Sequence, residues 1–363
     1  MKKTLKNAKG ITLVALVITI IILLILATIS IQSLTNTGLF EKAKEAKEKT
    51  KNATENQAKI LNEYEDELNK YVSGTTQTQK LADKVKVGDY VTYTPDALDS
   101  NAVSTLKSNL NTYSGKSDST INPEIKRDDL KWRVLDIQNG QVRLISETPT
   151  TSKIELQGYN GYNNAVKLID DACSTLYTNK QLASKVQNLK IEDITRYMKT
   201  QPAEDSTPYS PTNKYYPEIL LKEKGQIVNG TAGTELDLSE QKEFINQTTK
   251  PQVNSWTLKN TYWIQNMNNT DSFKDNKYYE LFINNGSNYP TYWMSSRCVY
   301  ADSNDAGFYV RRVRSGSVHA RDLYNSRGRE GSGDFAFRPV ITLNSNVQVT
   351  SGSGSTESPF KIK

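Results

Sequence analysis

The chain has 363 residues, a formal net charge of +6, one histidine (His319) and two cysteines, Cys173 and Cys298. These counts exclude a His-rich metal site, a cysteine-built zinc site and a disulfide-dense scaffold. Four of the positive charges are Lys2, Lys3, Lys6 and Lys9; with them set aside the balance is +2, which gives no basis for nucleic-acid binding.

In chain order, residues 1–10 form a basic leader and 11–32 a membrane segment. The run from Ile11 to Ile31 holds 21 residues without a charge. At about 1.5 Å per residue it spans about 30 Å, enough to cross a bilayer. It exceeds the roughly 7–15 apolar residues of a secretory signal and lacks a clear small-residue cleavage site. The leader lysines hold the N-terminal end in the cytoplasm. The expected localisation is therefore a single pass through the cell membrane with the head outside. Residues 33–72 predict a helical stalk. There is no Pro or Gly between Leu39 and Val72, Glu41/Glu45/Lys49 and Lys44/Glu48 are helix-spaced charges, and Leu61, Tyr64, Leu68 and Tyr71 form one apolar stripe. Residues 73–80, SGTTQTQK, predict a linker.

Lys9-Gly10 followed by Ile11-Thr12-Leu13-Val14-Ala15 resembles the N-terminus of type IV prepilins and pseudopilins. The resemblance implies cleavage after Gly10 by a prepilin peptidase, methylation of Ile11, and other pilin-like subunits as partners. The chain departs from the family pattern at Ile11, usually Phe, and at Ala15, usually the glutamate that pairs with a neighbouring subunit. The alternative is a plain signal-anchor helix.

Residues 81–363 predict a strand-rich α+β head. Val85 to Thr94 alternates and carries a turn. Leu130 to Ile137 and Gln141 to Ile145 flank Asn139-Gly140, a strong hairpin signal. Asn163 to Met198 reads as two helices, the first with an apolar face of Val166, Ile169, Cys173, Leu176 and Tyr177. Residues 200–250 predict loops. Strands return in SWTLKNTYWIQN, YWMSSRCVY, GFYVRRV and VHARDLY around RSGS, FAFRPVITL, and the pair NVQVT and PFKIK. Cys173 and Cys298 predict either one disulfide, in an oxidising compartment, or two buried thiols.

The order GDYV, LKWRVLDIQNGQVRLISE, YWMSSR, a G-S-V hairpin and FAFRPVITL resembles a bacterial surface domain related to the C-type lectin fold. That fold also serves formylglycine-generating enzymes and the variable proteins of diversity-generating retroelements. The resemblance implies a sheet core that supports ligand-facing loops, and hypervariable residues just before the final core strand.

The residues themselves supply no catalytic constellation. His319 has no partner pattern for a triad, and there is no P-loop or G-x-G-x-x-G. The tandem acids Asp128-Asp129 and Asp170-Asp171 read as solvated. No enzymatic activity, cofactor or metal is expected. The informative stretch is 297–338: it contains eight of the chain's 12 arginines and none of its 34 lysines. Arginine forks and stacks, and with Tyr, Ser, Gly, Asn and Asp it gives a paratope-like composition. Phe308, Val310, Val313, Val318, Ala320 and Leu323 predict a buried frame. The expected ligand-binding set is Asp302, Asn304, Asp305, Tyr309, Arg312, Arg314, Ser317, His319, Arg321, Asp322, Asn325, Arg327 and Arg329. Its acids weaken a nucleic-acid reading, so an extracellular protein or glycan is the expected ligand, met at the surface of the membrane. The alternatives are a structural pseudopilin in a pilus or secretion fibre, which the missing glutamate at Ala15 disfavours, and a surface enzyme of the formylglycine-generating type, which needs a working pair of thiols.

Overall fold

The computed structural model describes residues 45–46, 49–50, 53, 57, 60, 79–116, 125–200, 215–217, 240–245, 256–258, 265–266, 272–301, 306–325 and 328–363. The leader, Gly10, Ile11, the membrane segment, the stripe from Leu61 to Tyr71 and most of 200–250 lie outside the described residues. Among the described residues no helix is long and apolar enough to cross a membrane. The chain divides into two units, Met1–Thr76 and Gln77–Lys363. In the first, the described positions are helical and exposed. Glu45 and Lys49, one turn apart, pair at 2.7 Å.

The second unit is mixed α+β, mostly sheet with few helices. Its strands and helices run in this order: β1 (Gln79–Lys80), β2 (Tyr90–Thr92), α1 (Ser100–Tyr113), β3 (Trp132–Gln138), β4 (Gln141–Ser146), β5 (Lys153–Gln157), α2 (Gly158–Tyr177), β6 (Ala183–Asn188) and α3 (Ile191–Thr195). There follow β7 (Tyr215–Pro217), β8 (Trp256–Leu258), β9 (Gln265–Asn266), α4 (Asn276–Phe282), β10 (Tyr292–Ala301), β11 (Ala306–Arg314), β12 (Ser317–Asn325), β13 (Ser332–Ala336), β14 (Pro339–Leu343), β15 (Gln348–Ser351) and β16 (Phe360–Ile362). One sheet has the order β1-β15-β16-β2-β3-β4-β14-β6, a second β5-β13-β10-β11-β12-β9, and β7 pairs with β8.

Local chemistry explains several of these elements. Asn139 and Gly140, like Ser315 and Gly316, both have positive φ. That is the two-residue turn whose twist matches a hairpin, and it joins β3 to β4 and β11 to β12. Asp99 caps α1, its carboxylate accepting from the amides of Asn101 at 2.8 Å and Ala102 at 3.3 Å. Only Leu106 and Leu110 of α1 are buried, so its apolar periodicity is too sparse to announce a helix. Gly115 lets the chain after α1 press on the start of α2. A Cβ there would lie 1.7 Å from the carbonyl oxygen of Gln157, and its φ is +89°.

The helix α2 is central. Its predicted core face, Val166, Ile169, Cys173, Leu176 and Tyr177, is buried, and so are Tyr159, Tyr162 and Leu168. One apolar cluster joins α2 to both large sheets through Val134, Leu144, Trp293, Phe308, Val310 and Leu323. A second joins Leu135, Ile145, Ile194, Phe282, Met294, Val313 and Val318.

The second helix expected before Met198 gives way to a strand over Ala183–Asn188. Asn179 ends the helical path: its side-chain oxygen accepts from the amides of Gln181 at 3.0 Å and Leu182 at 2.9 Å. The chain then pairs as β6 with β14, from Asn188 opposite Pro339 to Ala183 opposite Leu343. Only the five-residue α3 remains helical. Asp170, read as solvated, is half-buried and accepts from the amide of Asn188 at 2.9 Å. Burial pushes its carboxyl up to about 6, against the opposing pull of Lys190 and its hydrogen bonds. Asp128 binds the amide and hydroxyl of Thr151 at 2.6 and 2.5 Å.

Candidate functional site: the arginine-rich hairpin

The hairpin β11–β12 sits between β10 and β9 in the second sheet. Its register sets Val310 opposite Arg321, Arg311 opposite Ala320, Arg312 opposite His319, Val313 opposite Val318 and Arg314 opposite Ser317. Side chains alternate between faces, and directly opposed residues share one. Arg312, Arg314, Ser317, His319 and Arg321 therefore lie together, on the face that also carries Val310. Tyr309 and Asp322, opposite each other, lie on the other face with Arg311 and Val313.

All six expected frame residues are buried: Phe308, Val310, Val313, Val318, Ala320 and Leu323. They do not form one floor, however. Phe308, Val310 and Leu323 belong to the α2 cluster, whereas Val313 and Val318 belong to the other. Both faces of the hairpin are thus covered near its middle. Towards the turn the face of Val310 opens, where Arg314 is exposed and Ser317, His319 and Arg321 are half-buried.

Arg312 is the buried member of the expected set. It is 5% exposed, and its guanidinium lies 4.9 Å from the ring centroid of Phe335. A stacked arginine can be covered because its flat face is weakly hydrated. Tyr309 is half-buried beside Gly307, and Asn325 and Asp322 are half-buried. Asn325 shapes the turn towards β13: its side-chain oxygen accepts from the amide of Arg329 at 3.1 Å, and its backbone amide donates to the Arg329 carbonyl at 3.0 Å. Arg329 is exposed. Asp302, Asn304, Asp305 and Arg327 lie outside the described residues.

The arginines that drew attention to this stretch divide by environment. Arg297, Arg311, Arg312 and Arg338 are buried. Arg297 reaches α2, donating to the carbonyl of Asn163 at 3.1 Å beside the Tyr162 ring. Arg338 serves the core, as described below. Sequence reasoning could have flagged Arg338, since it lies inside the apolar run FAFRPVITL.

Two half-buried members of the expected set are held by backbone contacts. Arg321 donates from Nε to the carbonyl of Ser332 at 2.6 Å, which holds the guanidinium and leaves both Nη groups available. The Nδ1 of His319 is 2.8 Å from both the amide and the carbonyl of Ala320.

Cys173 and Cys298 are both buried and free. Arg297 turns towards α2, so the next residue along the strand, Cys298, points to the other face. Burial pushes the Cys298 thiol up to about 11 despite nearby Arg311, and the Cys173 thiol well above its ordinary value. Neither should react with a maleimide in the folded protein, and both should react after denaturation. Rapid labelling of the native chain would contradict this placement. Among the described residues no three His, Cys, Asp or Glu side chains gather as a metal-ligating group.

A separate cleft of about 310 Å³ lies beside Tyr93, Arg127, Asp128, Trp132 and Tyr177. Its aromatic walls are core residues: Tyr93 and Trp132 meet edge to face at 5.3 Å, Trp132 and Tyr177 at 5.7 Å, and all three are at most 4% exposed. Little ring surface is open to a ligand there. No family model, curated protein or solved structure matches the chain.

Proposed function

We propose that the chain is a membrane-anchored, pilin-like surface protein that displays a lectin-type binding head. The carrying observation is the register of β11 and β12, which gathers Arg314, Ser317, His319 and Arg321 on one open face over a buried frame. The lysine leader, the uncharged run from Ile11 to Ile31 and the helical spacing of Glu45 and Lys49 support display outside the cell. In this reading the head is a diversified adhesin or receptor that binds and does not catalyse. The two free, separately buried thiols weigh against a formylglycine-generating type of enzyme.

The test uses cells that express the full chain, probed with an array of glycans and with other bacterial cells. Protease added to intact cells should release the head. Replacing Arg314, Ser317, His319 and Arg321 together with Ala should abolish binding and leave the head folded. Binding that survives the fourfold replacement, or a head protected until lysis, would overturn the proposal.

A further inference from the structure

We infer that the ligand of this face is an acidic glycan, held through its carboxylate, sulfate or phosphate groups; the inference rests on the binding reading above. In sequence, residues 297–338 carry eight arginines against five acids, Asp302, Asp305, Asp322, Glu330 and Asp334. Among the described residues the sheet sets two of these acids, Asp322 and Asp334, away from the open face. Asp322 lies on the opposite face, across from Tyr309. Asp334 stands on β13 opposite Glu155, 3.9 Å from Lys153, and Glu155 pairs with Lys116 at 2.6 Å. Glu330 sits against Gly158 at the start of α2. Among the described residues the open face carries Arg314, Arg321 and the ring of His319, beside the buried Arg312.

The donors suit oxyanions. A guanidinium offers two parallel N–H groups that match a carboxylate, sulfate or phosphate, and such charge-assisted bonds are about twice as strong as neutral ones. Arg321 is already oriented by its bond to Ser332, so less side-chain entropy is lost on binding.

The rest of the face favours a sugar chain. Protein hot spots pair arginine with buried Trp or Tyr anchors, and among the described residues the exposed large hydrophobics are Ile60, Leu98 and Ile137, none of them on the hairpin. Single-stranded nucleic acid is bound on exposed aromatic platforms. Here Phe335, half-buried, lies beneath Arg312.

The experiment places the detergent-solubilised full chain over surfaces bearing heparin, polygalacturonate, polyglycerol phosphate, neutral dextran or duplex DNA. These arms separate sulfate, carboxylate and phosphate as the recognised group. At least one acidic glycan should bind, dextran should not, and affinity should fall as salt rises. Arg314→Ala and Arg321→Ala should each weaken binding roughly tenfold, the scale of one charge-assisted bond. Arg314→Ala removes no side-chain bond among the described residues, so it remains a clean test if Arg321→Ala disturbs β13. Arg314→Lys should recover part of the loss. Capture of dextran through these same residues would overturn the acidic-ligand inference and leave the binding reading intact. Equal binding of DNA and the acidic glycans would reduce the face to a general polyanion surface and overturn the inference. Indifference of every probe to both arginine variants would overturn the inference and the binding reading together.

Discussion

Arg143→Ala is expected to destabilise the head by about 3–5 kcal/mol, because it strands two buried carboxylates. Arg143 donates from Nε and Nη2 to Asp136 at 2.7 and 2.5 Å and from Nη1 to Asp193 at 2.6 Å. All three are at most 8% exposed. The network continues through Tyr197, whose hydroxyl donates to Asp136 at 2.5 Å, and Gln138 at 2.9 Å. Burial alone would raise the Asp136 carboxyl, but the bonds and charge of Arg143, with Tyr197 and Gln138, outweigh it and hold the carboxyl below its usual range. A carboxyl lowered on folding stabilises the folded state fully above its unfolded value, about 3.9. That contribution is lost as pH falls through the folded value. In the variant the sign reverses: two buried like charges favour protonation, so stability should rise as pH drops from 7 towards 4.5. Urea denaturation at several pH values measures both effects. A variant with unchanged midpoint, or with the same acid dependence as the parent, would show that the network contributes little.

Arg338→Ala should cost roughly 3 kcal/mol or more, by removing a cation that three elements share. Its guanidinium donates to the carbonyl of Ser146 at 3.2 and 3.0 Å, of Glu147 at 2.9 Å and of Phe282 at 3.4 Å. It also lies 4.4 Å from the ring centroid of Tyr289. No water replaces these donors at a fully buried site, so the carbonyls are left with unmet demand. Arg338→Lys should recover only part of the stability, because one ammonium cannot reach the same spread of acceptors. Arg314→Ala, at an exposed position, should change stability by no more than about 0.5 kcal/mol. Chemical denaturation of the three variants tests this division of the arginines. Similar losses at positions 314 and 338 would erase it.

Much of the hairpin itself was legible from local pattern. Ser315-Gly316 supplied the turn, and the apolar residues around it marked the buried frame. The arginine cluster itself misled, because composition does not distinguish a stacked or carbonyl-bound guanidinium from a displayed one. Arg312 and Arg314 differ by two residues and share a face, yet Phe335, from β13, covers only the first. Of the acids that argued against a charged surface, Asp322 and Asp334 stand in the same stretch, and only the pairing of strands sets them on the other face.

The sequence by itself determined the two tight hairpins, the core strands β10 to β12 and the inner face of α2, whereas FAFRPVITL, read as one strand, divides between β13 and β14 in different sheets. The legible features follow from dihedral preferences and from apolar periods of two and 3.6 residues, which act within a few residues of chain. Tertiary structure alone decided that Ala183–Asn188 is a strand, that both thiols remain free, and which arginines meet solvent. Each of those outcomes depends on a partner distant in the chain: β14 for β6, α2 for Arg297, and Ser146, Glu147 and Phe282 for Arg338. A buried hydrogen-bonding group must be satisfied wherever its partner lies, and sequence spacing carries no record of that distance.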